Sequence, residues 1–356
     1  MSLTRRGWLQ GAAWGVGIAG GVIAARRRRL RVLVLGGMRF VGRAIVAAVL
    51  ARGHAVSLFN RGRTGPGLFP EAEELLGDRE GDLAALRGRS WDVVIDTSGT
   101  NPQWVRRASE LLHAAAGRYL YVSSTAAYTM SGSLRVSEES PIWPAATDAA
   151  RTYGERKAAG EREVLRYFAG RATIVRPADL FGPHDYDRRA HFVRWALRAR
   201  AGGEFLVLGR PENKVAFTDV RDLGAWIAGL IERDVRGVFN VAGPPFTLGA
   251  LAAAAIAVGG PATPVWVDRR WAAAEGVDRK QLSAGTGSTY EMGSPLAVVR
   301  GLCFRPLVAT MRDTLEWWDS PKGEAAGEAA GETPGMTAEA EAEVIAAWRA
   351  SGGGSG

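Results

Sequence analysis

The sequence predicts an α/β fold, a doubly wound parallel sheet with a smaller C-terminal lobe interleaved with the end of that sheet. From residue 30 onward, short aliphatic and β-branched runs alternate with longer stretches of helical spacing, the pattern of strands covered on both faces by helices. A glycine-rich turn joins the first strand to the first helix. The 356 residues are 47% hydrophobic and 23% charged, enough to build a large core and too apolar for wholesale disorder.

Residues 30–35 form an aliphatic run, hence a buried strand. Residues 36–42 are the turn, and 43–52 carry alanine and valine at helical spacing, ended by Gly53 and His54. Residues 55–59 read as the second strand, completing a β-α-β unit. A third strand is expected at 92–96, an amphipathic helix at 105–116 and a strand at 119–123. A long helix should span 152–168, followed by a strand at 172–176. Beyond Pro183 the alternation weakens, with strands at 205–208, 215–217 and 238–241 between helices. Four segments result: a leader at 1–29, a nucleotide-binding domain at 30–183, a substrate lobe at 184–320, and a linker, short helix and flexible tail at 321–356. Thr337 is placed to cap that last helix, with Glu339 and Glu341 near its positive end.

Charge narrows the class of partner. The net charge is +8, but residues 1–31 hold seven arginines and no acid; removing those seven from 45 basic residues leaves 38 against 37 acidic ones. A nearly neutral body is not expected to bind nucleic acid, although Arg188, Arg189, Arg194, Arg198 and Arg200 offer a local basic cluster. The single cysteine, Cys303, rules out an intrachain disulfide and reads as a small buried residue. The four histidines are not spaced as metal ligands, and no metal site is expected.

The leader resembles a twin-arginine export signal: Arg5 and Arg6 precede Trp8 and Leu9, and the uncharged residues 7–25 contain six glycines. As a helix that stretch would span about 28 Å, close to a bilayer core. Export of the folded protein to the periplasmic side is one expectation. Arg26 to Arg29 and the poor cleavage site at Ile23-Ala24-Ala25 support the other, an uncleaved anchor holding the chain to the cytoplasmic face.

In the turn, Gly36 and Gly37 permit a tight reversal, Gly42 lets the helix approach the sheet, and the helix N-terminus offers N–H groups to a pyrophosphate. Arg39 stands where the pattern has its middle glycine, followed by Phe40 and Val41. The turn and its surrounding β-α-β unit make residues 30–183 a Rossmann-type domain. The second strand runs into Asn60, Arg61, Gly62 and Arg63, with no acid to hold the adenosine ribose of NAD. Arginine there suits the 2′-phosphate of NADP, with Arg39 assisting from the turn. NADP is therefore the expected cofactor and NAD the alternative.

Tyr153 and Lys157 lie one helical turn apart on the 152–168 helix. A free phenol titrates near pH ~10; a neighbouring ammonium favours its phenolate and suits it to pass a proton at neutral pH. Ser124, beside Ser123 and Thr125 at a strand end, can orient the same substrate oxygen.

These pieces resemble the extended, or atypical extended, short-chain dehydrogenases/reductases, the NAD-dependent epimerase/dehydratase family. The matching stretches are residues 35–42, Gly77-Asp78, Val122-Ser123-Ser124 with Tyr128, Tyr153 with Lys157, Arg176-Pro177, Gly182-Pro183, residues 217–223 and Phe239-Asn240. The resemblance implies that Tyr153 is the acid/base and that Lys157 also bonds the nicotinamide ribose. It places Asp78 at the adenine, Thr97 and Ser98 along the cofactor, and the loop after Pro177 beside the nicotinamide. It implies hydride transfer at a carbonyl or hydroxyl carbon, with a nucleotide sugar or similar polar compound as substrate, and a possible homodimer. Asp96-Thr97-Ser98-Gly99 departs from the family's usual His-Leu-Ala-Ala-like stretch. A non-catalytic NADP sensor or an RNA-associated protein of the same fold is the alternative function.

Overall fold

A computed structural model describes residues 28–129, 135–144, 152–185, 191–277, 291–321 and 336–353. Apart from Arg28 and Arg29, the expected leader lies outside them, as do Arg188, Arg189 and most of the expected linker. Among the described residues, no helix is long and apolar enough to cross a membrane.

Strands β1 (Arg31–Leu35), β2 (Ala55–Asn60), β3 (Glu73–Leu76), β4 (Trp91–Asp96) and β5 (Ala116–Val122) join the Ala172–Pro177 and Gly237–Val241 strands in one seven-stranded sheet. Its order is Gly237–Val241, Ala172–Pro177, β5, β4, β1, β2, β3, and every neighbouring pair is parallel. β3 has no counterpart among the expected strands, because its Glu-Glu-Leu-Leu sequence lacks β-branched residues.

The two-residue period of a strand divides the core. Val32 and Val34 of β1 face helices α1 (Phe40–Ala51) and α5 (Val220–Glu232). Leu33 and Leu35 face α2 (Pro102–Leu112) and α3 (Tyr153–Tyr167). With both faces covered, the strand reads as an unbroken apolar run. Helices α1 and α5 touch closely at Gly224, where a Cβ would stand 2.6 Å from the Ala44 carbonyl oxygen. Pro102 opens α2 behind an Asn101 cap whose side chain accepts from Gln103 N–H at 2.9 Å, so this helix starts and ends earlier than the apolar spacing suggested.

The lobe packs α4 (His191–Ala201) against α6 (Leu248–Gly259) and the Leu307–Trp318 helix. The final helix, Ala338–Ala350, is capped by Thr337 as expected. Glu341 does more than face a helix end: it is buried and accepts from Arg198 Nε at 2.9 Å. With Arg194 also beside Glu341 and Arg200 bonded to Asp319 at 2.7 Å, these three arginines are neutralised and form no open basic patch. Cys303 also corrects its expectation: it is exposed, and the neighbouring Leu302 occupies the core position.

Candidate active site

The C-terminal ends of β1, β2 and β4 open into a cavity of about 640 Å³. It is lined by Gly36, Gly37, Arg39, Phe40, Val41, Gly42, Asn60, Arg61, Arg63, Asp78, Thr97 and Ser98, residues the sequence singled out. Met38, Phe59, Thr64, Arg79, Thr100 and Trp104 also line it and carried no signal of their own. Lys157 and Pro177 are not part of this lining.

The turn at its base depends on glycine. Gly36 and Gly37 have φ of +98° and +90°, where a side chain is strained. A Cβ on Gly42 would lie 2.7 Å from Gly37 Cα and 2.9 Å from Thr97 Oγ1. Thr97 closes the turn, accepting from Gly37 N–H at 3.3 Å and donating to Leu35 O at 3.1 Å. No acid occupies the first turn of α1, so its positive end faces the cavity uncompensated by its own helix. Arg39, Arg61 and Arg63 are exposed at the rim. Asn60 Oδ1 accepts from Gly62 N–H at 2.7 Å, whereas its buried Nδ2 has no partner among the described residues. This orphaned donor, the glycine cradle and the basic rim fit an anionic dinucleotide.

The catalytic candidates sit just beyond β5 and on α3. Ser124 follows β5, and its Oγ accepts from Ala126 N–H at 3.1 Å, starting a single 3-10 turn at Thr125–Ala127. α3 begins with a reciprocal capping box. Thr152 Oγ1 accepts from Glu155 N–H at 3.2 Å, and Glu155 Oε2 accepts from Thr152 N–H at 2.8 Å. This box sets Tyr153 as the first helical residue. Gly154 then lets the helix end press on the Ser124 turn, since a Cβ there would meet Ala126 O at 2.1 Å. Gly154→Val should therefore push the helix end away from Ser124, lowering turnover at least tenfold with cofactor affinity retained, as checked by steady-state kinetics beside a dinucleotide titration.

Tyr153 and Lys157 do not share one surface. Tyr153 is 44% exposed, while Lys157 is 3% exposed and turned inward. Lys157 Nζ donates to Val122 O at 2.6 Å and Gly99 O at 3.3 Å, and lies 4.8 Å from the Tyr121 ring centroid and 5.9 Å from that of Tyr153. Burial lowers the Lys157 pKa to about 8, against the opposing pull of Asp96. The ammonium is thus held below the tyrosine ring by backbone carbonyls, a placement that helical spacing alone could not show.

Two buried ion pairs brace this region. Arg79 grips Asp96 with two bonds of 2.6 and 2.7 Å, and Tyr119 Oη donates to the same carboxylate at 2.7 Å. Burial pushes the Asp96 carboxyl up, but the charge and hydrogen bonds of Arg79 outweigh it and hold the carboxyl below its ordinary value. Arg176 grips Glu161 of α3 at 2.9 and 2.6 Å, while Ser123 Oγ donates to Glu161 at 2.5 Å. The Arg176 guanidinium also lies 4.6 Å from the Tyr128 ring centroid, and Tyr128 Oη donates to Asn240 Oδ1 at 2.7 Å. Arg176, Tyr128 and Asn240, scattered in the sequence, thereby tie α3 to the strands behind it.

Residues 32–242 match the NAD dependent epimerase/dehydratase family. The chain belongs to this family. Solved enzyme structures share its architecture. The dTDP-glucose 4,6-dehydratase of Bacillus anthracis, solved with NAD, superposes with a TM-score of 0.63 at 16% identity, covering 85% of this chain and 99% of that one. The UDP-glucuronic acid 4-epimerase of Bacillus cereus, also solved with NAD, gives 0.61 at 16% identity, covering 82% and 98%. At such identities the likeness establishes the fold. In sequence, the chain is 27% identical over 256 residues to the chloroplast stem-loop binding protein of 41 kDa b from Arabidopsis thaliana. That match takes in 65% of this chain and spans 63% of the relative's length. Family membership identifies a nicotinamide dinucleotide as the cofactor class.

Proposed function

We propose that this chain is an NADP-dependent oxidoreductase or epimerase acting at a carbonyl or hydroxyl carbon of a nucleotide sugar or similar polar substrate. The observation that supports it is the arginine-rimmed cavity of about 640 Å³ at the strand ends, with Tyr153 and Lys157 opening α3 against the Ser124 turn. Gly36, Gly37 and Gly42 with the α1 N-terminus would hold the pyrophosphate, Asp78 the adenine side, and Arg39, Arg61 and Arg63 a 2′-phosphate. When bound, the nicotinamide supplies or accepts hydride. Tyr153 Oη moves the proton at the substrate oxygen, and Ser124 donates a hydrogen bond to that oxygen. Lys157 keeps a positive charge beneath the tyrosine ring, favouring its phenolate.

Fluorescence titration of the full chain with NADPH and NADH tests the cofactor, and proton NMR of nucleotide sugars incubated with protein and cofactor tests the substrate class. NADPH should bind more tightly. Arg61→Ala should weaken NADPH by about tenfold or more and leave NADH nearly unchanged, since charge-assisted hydrogen bonds contribute about 1.5–3 kcal/mol. A wild-type preference for NADH would overturn the assignment to NADP.

The name of the chloroplast relative favours a second reading, an RNA stem-loop partner. The near-neutral body opposes it, and a salt-insensitive failure to retain a stem-loop RNA in a filter assay would dismiss it. We further propose that the twin-arginine pattern of the leader directs export, with an anchor on the cytoplasmic face as the alternative, and that the body pairs as a homodimer.

A further inference from the structure

We propose that Arg79 is a positioning residue that couples the adenosine end of the cofactor cavity to Lys157 through the turn Asp96-Thr97-Ser98-Gly99. This inference rests on the cofactor reading above. It arises at the Asp96-Thr97-Ser98-Gly99 turn, which begins at the last residue of β4.

The coupling follows from who holds the turn. Arg79 comes directly after Asp78, lines the cavity, and is 7% exposed. Its fork takes both oxygens of Asp96, and its Nη1 also donates to Ser98 Oγ at 3.1 Å. Asp96 Oδ1 in turn accepts from Ser98 N–H at 3.1 Å. One residue earlier, Thr97 clasps the glycine turn through Gly37 and Leu35. One residue later, Gly99 O accepts from Lys157 Nζ at 3.3 Å and from Tyr121 Oη at 2.5 Å. Gly99 has no room for a side chain, since a Cβ would lie 2.5 Å from the Tyr121 ring. A single four-residue turn therefore sets both the phosphate-binding loop and the acceptor of the catalytic lysine, and a guanidinium from the adenosine side clamps it.

A second observation points at a ligand. Arg79 Nε is buried and has no protein partner among the described residues, although the rest of the guanidinium is satisfied. That unmet donor belongs to a side chain that lines the cavity, and an acceptor on the bound dinucleotide is the partner assigned to it.

Charge supplies the second strand of the coupling. The groups facing Lys157 are Asp96 and Arg79 from the β4 side, Glu161 from its own helix, and the rings of Tyr121 and Tyr153. Without Arg79, the Asp96 carboxylate would have Lys157 as its nearest remaining cation, and the amine would hold its proton to higher pH.

Two measurements on the full chain test this. Arg79→Lys keeps the charge and loses the fork; it should weaken NADPH at least tenfold by fluorescence titration. Arg79→Met removes the charge. The Lys157 titration is read without cofactor, as the pH at which the stability difference between a protein and its Lys157→Met counterpart starts to rise. In the Arg79→Met background that onset should move up by at least one pH unit. Arg79→Gln repeats this arm if Arg79→Met does not fold. Wild-type NADPH affinity in Arg79→Lys, or an unmoved onset once Arg79 is neutral, overturns the coupling, because a merely structural pair would lower stability and change neither. If the wild-type chain binds no nicotinamide dinucleotide, the cofactor reading fails, while the onset still decides whether Arg79 governs Lys157.

Discussion

Tyr153→Phe should lower turnover about a thousandfold and leave NADPH affinity within about twofold of wild type. The phenol stands beside the Ser124 turn with a proton it can pass to a substrate oxygen, and a positioned acid/base contributes roughly 10²- to 10⁴-fold. The ring itself is retained in the variant, so packing against the helix end and the cation below it persists. Cofactor affinity persists because Tyr153 lies outside the cavity lined by the glycine turn and the arginines. Ser124→Ala removes a donor to the same oxygen while the proton carrier remains, and should therefore be milder, about ten- to a hundredfold. Single-turnover kinetics with saturating cofactor separates these effects from release steps. Turnover of Tyr153→Phe at the wild-type rate would show that another group moves the proton, and the enzyme reading of this site would fall with it.

What the sequence made legible follows its local patterns. The β1–turn–α1 unit, the arginines after β2 and the order of Ser124, Tyr153 and Lys157 are each carried by residues close together in the chain. The capping box at Thr152 and Glu155, three residues apart, was within reach of the same reading. The glycine at 154 was visible, but its purpose was not, since the Ala126 carbonyl it meets lies in a different element. Arg79 was harder still. It follows Gly77-Asp78 in what reads as a solvated loop, and only the sheet order brings it to Asp96 at the end of β4. Likewise Glu341 resembles a helix-end acid until the fold delivers Arg198 to it. Spacing on α3 put Tyr153 and Lys157 on neighbouring positions, yet it could not show that one is exposed and the other is buried under backbone carbonyls. Chain-local chemistry is readable in one dimension; pairs of buried charges from separate elements become visible only through topology.

The buried lysine should make stability depend on pH in the alkaline range. Its folded pKa is lowered to about 8 by burial, whereas the unfolded chain restores the ordinary lysine value of 10.5. Between those two values the unfolded state binds the extra proton, so stability must rise with pH across the window. Each pKa unit is worth about 1.4 kcal/mol, which makes the whole rise about 3 kcal/mol. The comparison is wild type against Lys157→Met, in which every other titrating group cancels. Their difference in unfolding free energy should be flat below pH ~8, shift in favour of wild type up to pH ~10.5, and be flat again above it. Denaturant melts at half-unit pH steps would trace this curve. The same titration should appear in turnover as an alkaline loss beginning near pH ~8, when the amine beneath Tyr153 gives up its charge. A stability difference that stays constant from pH 7 to 11 would mean that Lys157 is solvated in the folded protein, and the cation beneath the tyrosine would then have no burial to tune it.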